Sequence, residues 1–373
     1  MSIGRLLASK RVLLCAGSGG VGKTTTAAAL AIEAAKRGRR TAVLTVDPAQ
    51  RLKDALHLDA LDGRPRAVPL GDGFATLDAL LLDVKHTFDD LVRTLARDDD
   101  VAGRILGNRI YQNLSGTLVG SAEYMAVETV YRLARDDRYD LLVVDTPPAR
   151  HAVDFLDAPR RLLALLDSRA FTILKNPTSI LPAAGSRLAA LVLRGVLAGI
   201  ERLTGVGLVS EIAEFVGLIE SLTDALRERV AAVAALLASD ATAIVLVTAP
   251  EPRLADETRD LAESLERLGL AIDGVIVNRA LPRRFFGAPP PAPPAALPPA
   301  LRRRLLDVHG ELRAQAAQQQ ALLSPIVTRA GAPVLAELPL LGTPPGSLDD
   351  LQALARHLCA DEPPGPAAAA PPS

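Results

Sequence analysis

The sequence predicts an α/β fold: a mostly parallel sheet flanked by helices, with an inserted helical subdomain. Three observations predict it. Short, unbroken apolar runs alternate with helical patterns, as parallel strands covered on both faces require. The first run ends in a glycine-rich loop that opens a helix. Two long stretches carry helical patterning and few strand signals.

The elements follow in order. Val12–Ala16 reads as the first strand. Thr24–Arg37 is alanine-rich with high helix propensity, and Gly38 suits its C-terminal cap. Further strands are expected at Thr41–Val46, Leu141–Val144, Ala243–Val247, Gly274–Val277 and Val334–Leu338. Val84–Ala134 and Phe155–Ala238 interrupt that rhythm as excursions from the sheet and together form the expected helical subdomain. Pro159, Pro177 and Pro182 are expected to break the second excursion into pieces. Residues 288–300 are proline- and alanine-rich and read as an extended connection; residues 361–373 read as a disordered tail. Residues 1–360 are thus expected to form a single domain.

Composition narrows the function. The chain has 373 residues and a net charge of -1, which excludes a generally basic nucleic-acid binder. Its two cysteines, Cys15 and Cys359, exclude a disulfide framework and a four-thiolate metal site within one chain. Aromatics are 3% with no Trp, so base-stacking platforms are not expected. No run is long and apolar enough for an export signal or a membrane span, so a cytoplasmic protein is expected.

Gly17-Ser18-Gly19-Gly20-Val21-Gly22-Lys23-Thr24 fits G-x-x-x-x-G-K-[ST], between a strand and a helix. Glycines let the backbone turn its N–H groups onto phosphate oxygens, and the helix adds its positive end. Lys23 supplies a cation to the β- and γ-phosphates, and the Thr24 hydroxyl suits Mg²⁺. The expected fold is thus a P-loop NTPase sheet. Asp145 ends a buried strand and meets Thr146-Pro147-Pro148. An acid there holds Mg²⁺ through water; the plain alternative is a capped turn. Asp47 ends the second strand, where a carboxylate orients an attacking water, or else caps a helix beginning near Pro48. Asn278 follows another strand. Its carboxamide matches the adenine edge, or it is a turn residue. Leu281 stands where guanine-specific proteins carry Asp, which favours ATP over GTP. Arg150 and His151 are possible switch contacts, or plain surface residues.

These motifs together resemble the arsenite-pump ATPase family, which includes targeting factors for tail-anchored membrane proteins. The resemblance covers roughly residues 10–285 and 334–358. Gly19–Thr25 resembles the family's phosphate loop, so Thr25 joins the expected nucleotide contacts. Val46-Asp47-Pro48-Ala49 resembles its first switch, and Asp145-Thr146-Pro147-Pro148 with His151, Phe155 and Leu156 its second. Asn278 matches the family's adenine-reading Asn. Leu338-Pro339-Leu340-Leu341 resembles a late turn whose backbone lies near the base, which places Pro339 there. The resemblance implies a dimeric ATPase that ATP closes and hydrolysis opens, with a client or membrane partner bound through the helical subdomain.

Three departures qualify it. The family's loop usually carries a Lys that crosses to the partner's nucleotide; here Ser18 stands in its place. The cysteines that hold zinc between subunits are absent, so no zinc is expected. The thiols of a metalloid pump are also absent. Two readings follow: an ATP-hydrolysing switch, or a low-turnover nucleotide-binding subunit paired with a Lys-bearing relative. A crossing cation acts like an arginine finger, worth roughly 10³–10⁵ in rate. Slow turnover by the chain alone is therefore expected, with Ser18→Lys restoring it unless Arg150 supplies the charge.

Overall fold

The computed structural model describes residues 2–49, 51–114, 121–168, 208–281, 292–294, 296–341 and 345–359. The chain divides into two compact units. One takes in Met1–Leu82, Arg132–Val153 and Ala238–Ser373; the other takes in Asp83–Tyr131 and Asp154–Leu237.

Among the described residues the first unit holds one eight-stranded sheet, in the order β3-β4-β2-β5-β1-β6-β7-β8. The strands are β1 (Val12–Gly17), β2 (Thr41–Thr45), β3 (Arg66–Ala67), β4 (Leu77–Leu81), β5 (Leu141–Asp145), β6 (Thr242–Thr248), β7 (Gly274–Ala280) and β8 (Val334–Pro339). Every neighbouring pair is parallel except β3 with β4. Six of the strands fall on the apolar runs. β1, β2, β5 and β6 are buried along their whole length, which is why they read as continuous hydrophobic segments. β3 and β4 were not expected. β3 is two exposed residues, and β4 carries Asp78, whose carboxylate accepts a hydrogen bond from the Tyr139 hydroxyl at 2.8 Å.

The helices of this unit begin with α1 (Ile3–Ser9), α2 (Lys23–Lys36) and α3 (Arg51–Ala55). The alanines of α2 explain its position. Ala27, Ala28, Ala31, Ala34 and Ala35 are fully buried, and such small side chains let a helix lie close to its neighbours. Gly38 closes α2, its N–H reaching the Ala35 carbonyl at 3.0 Å.

At the edge where the chain enters the sheet, two arginines gather carbonyl groups. Arg11 donates to the carbonyl oxygens of Ala134 at 2.6 Å, Asp136 at 3.0 Å and Tyr139. Arg39 donates to those of Leu7 at 2.5 Å, Lys10 at 2.7 Å and Asp140. The chain segments entering β1, β2 and β5 are thereby fastened together.

The second unit is helical, with α4 (Val84–Leu95), α5 (Asp99–Gly107), α6 (Arg109–Leu114), most of α7 (Ser121–Ala134), most of α8 (Ala149–Leu166) and α9 (Leu208–Leu237). Asp83 and Asp98 cap α4 and α5, accepting from the N–H groups of His86 and Val101. Val92, Val101, Ile105, Tyr111, Leu218 and Leu222 form a buried cluster, so part of the apolar Val206–Leu222 segment is core. Buried Glu128 pairs with Arg229 at 2.7 Å. Pro159 does not break its stretch: α8 runs through it. Arg161 bonds Asp154 at 2.8 Å and Asp157 at 2.7 Å, bracing the turns on both sides of the missing N–H. Pro177, Pro182 and the Leu188–Leu193 run lie outside the described residues.

The remaining helices return to the first unit: α10 (Pro252–Arg267), α11 (Pro299–Ala330) and α12 (Leu348–Leu358). Leu351, Leu354, Ala355 and Leu358 of α12 pack in the same core as α2. α11 is a helix that the sequence reading did not anticipate. Its 32 residues begin at Pro299, so the last two residues of the expected extended connection are helical. Proline is tolerated there because the first helical N–H has no intrahelical partner. Residues 282–291 and the tail lie outside the described residues. Among the described residues no helix is long and apolar enough to cross a membrane.

The arginine fastening gives a first expectation. Arg11→Ala takes a charged donor from three carbonyls, of which that of Asp136 keeps the Tyr139 N–H, and should lower unfolding stability by about 2–4 kcal/mol, since a hydrogen bond to a charged donor contributes ~1.5–3 kcal/mol. Urea denaturation of the two proteins measures the difference.

Candidate functional site

Because these strands run parallel, the C-terminal ends of β1, β2, β4, β5, β6, β7 and β8 share one edge. β1 lies between β5 and β6, and the chain leaves it in opposite directions, first towards β2 and later towards β7. Such a point opens a crevice beyond the strand ends, where α/β sheets bind ligands. The glycine-rich loop crosses it.

The loop is shaped by close approaches. A Cβ on Gly17 would run into the carbonyl oxygen of Val247 on the neighbouring strand. Gly22 has φ 90° and would strike the carboxamide of Asn278. Val21 is buried, whereas Gly19 and Gly20 are exposed at the rim. α2 starts at Lys23, so the free N–H groups of its first turn face the loop. Thr25 lies half-buried in that turn without a defined role.

Lys23 is buried, and its Nζ donates to the Ser18 carbonyl at 2.7 Å. Burial pulls its pKa down, opposed by the charges of Asp145 and Asp47. Asp145 is buried at the tip of β5. Its Oδ2 accepts from the hydroxyls of Thr24 at 2.7 Å and Thr45 at 3.0 Å, while its Oδ1 is buried with no partner. Burial pushes its pKa up. A bare carboxylate oxygen in a dry pocket, beside a threonine hydroxyl, is a donor set for a hard divalent cation. Thr24 and Asp145 therefore fit Mg²⁺. Thr45 belongs to the same cluster and was missed. Its signal is register: both Thr45 and Asp145 end their strands and pair directly.

Asp47 lies after β2. Its Oδ1 accepts from the Ala49 N–H at 3.0 Å and its Oδ2 pairs with Arg51 at 3.4 Å. It turns the chain ahead of α3, which starts at Arg51 rather than near Pro48. The charges of Asp47 and Arg51 both act on Lys23. Arg150 and His151 are exposed on the first turn of α8.

Asn278 lies against the loop. Its Nδ2 donates to the Val21 carbonyl at 2.8 Å and its Oδ1 accepts from the Arg279 N–H at 2.9 Å. Both ends of the carboxamide are thus engaged by the backbone. Each end keeps one further hydrogen-bonding position, a second N–H and a second lone pair, for a base. Pro339 ends β8 beside Ala280, and the Leu340 N–H reaches the Ala280 carbonyl at 3.1 Å.

Ser18 does not face outwards. It is fully buried, with its hydroxyl 3.4 Å from both the Leu254 carbonyl and the Thr258 hydroxyl of α10.

Residues 10–286 match the anion-transporting ATPase family. The chain belongs to that family. The resemblance read from the motifs is therefore borne out. Among curated relatives it is 34% identical over 154 residues to the "ATPase get3" of Aspergillus terreus, spanning 40% of this chain and 43% of that protein. It is 34% identical over 273 residues to an uncharacterized protein of Streptomyces coelicolor, spanning 73% of this chain and 63% of that one. The chain thus covers less than two thirds of the length of these relatives.

Charge removal at the orphaned oxygen tests the cation site. Asp145→Asn should unfold at a higher temperature than the unsubstituted chain without ligands, because it removes a carboxylate whose burial the two hydroxyls and the Lys23 charge only partly offset. The same substitution should abolish any Mg²⁺-dependent increment in stabilisation by ATP. Thermal unfolding with and without Mg²⁺ reads both effects.

Proposed function

We propose that the chain binds and hydrolyses ATP as a dimeric molecular switch, with its helical unit coupling nucleotide state to a client or partner protein. The observation that carries this is the cluster of buried Lys23, half-buried Thr24 and buried Asp145 at the glycine-rich loop, with one Asp145 oxygen left without a partner. Membership of an ATPase family supports it.

In this reading the loop amides and the α2 N-terminus hold the phosphates. Lys23 leaves the Ser18 carbonyl to meet the β- and γ-phosphate oxygens. Thr24 and Asp145 hold Mg²⁺, which when bound neutralises charge developing on the phosphates. Asp47, fixed by Ala49 and Arg51, orients the water that attacks the γ-phosphate. Asn278 keeps its contact with Val21 and offers its remaining N–H and lone pair to the adenine edge, and Pro339 offers backbone near the base. Leu281 is buried and offers no carboxylate to guanine, which favours ATP.

ATP binding and turnover by the purified chain test this reading. Lys23→Ala should abolish tight ATP binding. Asp47→Asn should keep ATP binding and slow hydrolysis by roughly 10²–10⁴, the usual range for a positioned acid–base group. Isothermal calorimetry and a phosphate-release assay separate the two. Unchanged turnover in Asp47→Asn would leave Asp47 as a turn-former only.

The second reading, a low-turnover subunit beside a Lys-bearing relative, is favoured by Ser18 alone. Its burial alters what Ser18→Lys should do. A lysine at a sealed position must displace α10 or reverse the loop. Ser18→Lys is therefore expected to lower the unfolding temperature without raising turnover. Faster hydrolysis with unchanged stability would show instead that position 18 turns outwards in the working dimer.

A further inference from the structure

Asn278 and Arg279 grip the phosphate loop from its outer side. We infer that Arg279 is a positioning residue that holds the loop's amides in their anion-binding arrangement before nucleotide arrives. The inference rests on the reading of this loop as the nucleotide site.

Three observations meet at Arg279. Its Nη2 donates to the Gly20 carbonyl at 2.8 Å. Its Nη1 pairs at 2.9 Å with Glu251, which belongs to the connection after β6. Its φ is 57°, and among the described residues only His57 is the other non-glycine with positive φ. That left-handed backbone is disfavoured for a residue with a Cβ. It turns the Arg279 N–H onto Asn278 Oδ1, which leaves Asn278 Nδ2 to hold the Val21 carbonyl.

The effect follows from peptide geometry. In a planar trans peptide the C=O and the following N–H point in opposite directions. Holding the Gly20 carbonyl outwards turns the Val21 N–H to the other side. Holding the Val21 carbonyl does the same for the Gly22 N–H. Two successive carbonyls are drawn out by Arg279 and Asn278, so two successive amides face the crevice. A nest of this kind binds anions. Preorganisation of such donors raises affinity by lowering the ordering cost.

A purely structural role does not explain the strained backbone. The Arg279–Glu251 pair is 35% and 53% exposed, and exposed pairs contribute little to folding. Glycine would occupy the same φ without strain, yet could not reach Gly20.

The experiment compares the full chain with Arg279→Ala, Arg279→Gly and Arg279→Lys. Calorimetry gives ATP affinity, steady-state hydrolysis gives KM and kcat, and thermal scans without nucleotide give stability. Ala and Gly both lack the guanidinium, but only Ala keeps the strain. The expected result is an ATP Kd raised about tenfold in both, the equivalent of one charge-assisted hydrogen bond. The loss in kcat/KM should lie in KM. Arg279→Gly should unfold at a higher temperature than Arg279→Ala, and Arg279→Lys should recover part of the affinity. Affinity restored in Arg279→Gly would overturn the inference, because backbone conformation rather than the guanidinium would then set the loop. A loss confined to kcat would overturn it too. If the unsubstituted chain binds no ATP, the nucleotide reading fails and takes this inference with it; ATP binding that is unchanged in every Arg279 variant overturns this inference alone.

Discussion

A lysine buried at the start of α2 and an aspartate buried at the tip of β5 are the constraint around which the first unit is arranged. Neither charge is comfortable there. Burial lowers the pKa of Lys23 and raises that of Asp145, so the dry pocket disfavours both charged forms. The protein answers with neutral dipoles: the Ser18 carbonyl for the ammonium, two threonine hydroxyls for the carboxylate. One carboxylate oxygen is still left over. A site built from opposite charges that the chain only partly satisfies suits a ligand carrying both signs, such as a polyphosphate with a divalent cation. The parallel sheet is what makes this possible. It brings seven strand ends to one edge, where helix N-termini and strand-end hydroxyls are already at hand.

The two edges of the sheet solve the same problem in opposite ways. At the entry edge, Arg11 and Arg39 each hold three carbonyls of the segments that lead into the strands. At the exit edge, Asn278 and Arg279 also hold carbonyls, but those of the loop itself. Each carbonyl they hold turns an amide away, towards the crevice. The same chemistry thus closes the structure at one edge and leaves donors facing the crevice at the other.

The buried strands were legible because both of their faces are covered, which writes them as unbroken apolar runs. β4 was not, since half-buried Asp78, bonded to the Tyr139 hydroxyl ahead of β5, interrupts its apolar run. α11 was hidden for the opposite reason. Only Ala316, Gln319 and Ile326 along it are buried, so no apolar face announced it, and a proline run stood before it. Pro159 lies within α8 all the same, in a helix whose Ala152, Phe155, Leu156 and Ala158 are buried, so packing rather than local propensity carries the helix through it. At the site, the linear motif gave Lys23 and Thr24, and strand ends gave Asp145 and Asp47. Thr45, Glu251 and Arg279 depend on which strands become neighbours. Sheet order is a tertiary property that single-sequence patterns do not carry.

Ser18 shows the same limit most clearly. As a letter in the motif it stands for a missing charge. In the fold it is one of three hydroxyls in a buried chain, with Thr258 3.1 Å from Thr248 and 3.4 Å from Ser18. Thr258 also donates to the Leu254 carbonyl at 2.7 Å within α10. These hydroxyls are satisfied by one another and by the Leu254 carbonyl, and all three residues are fully buried. A long cation cannot enter this chain of hydroxyls without leaving at least one buried oxygen unpaired, at a cost of about 1–3 kcal/mol. The serine is therefore the residue that lets α10 seat directly on the phosphate loop. Its lack of charge and its inward packing are one choice: a loop that reaches for a neighbouring subunit cannot also be sealed against its own helix at the same position.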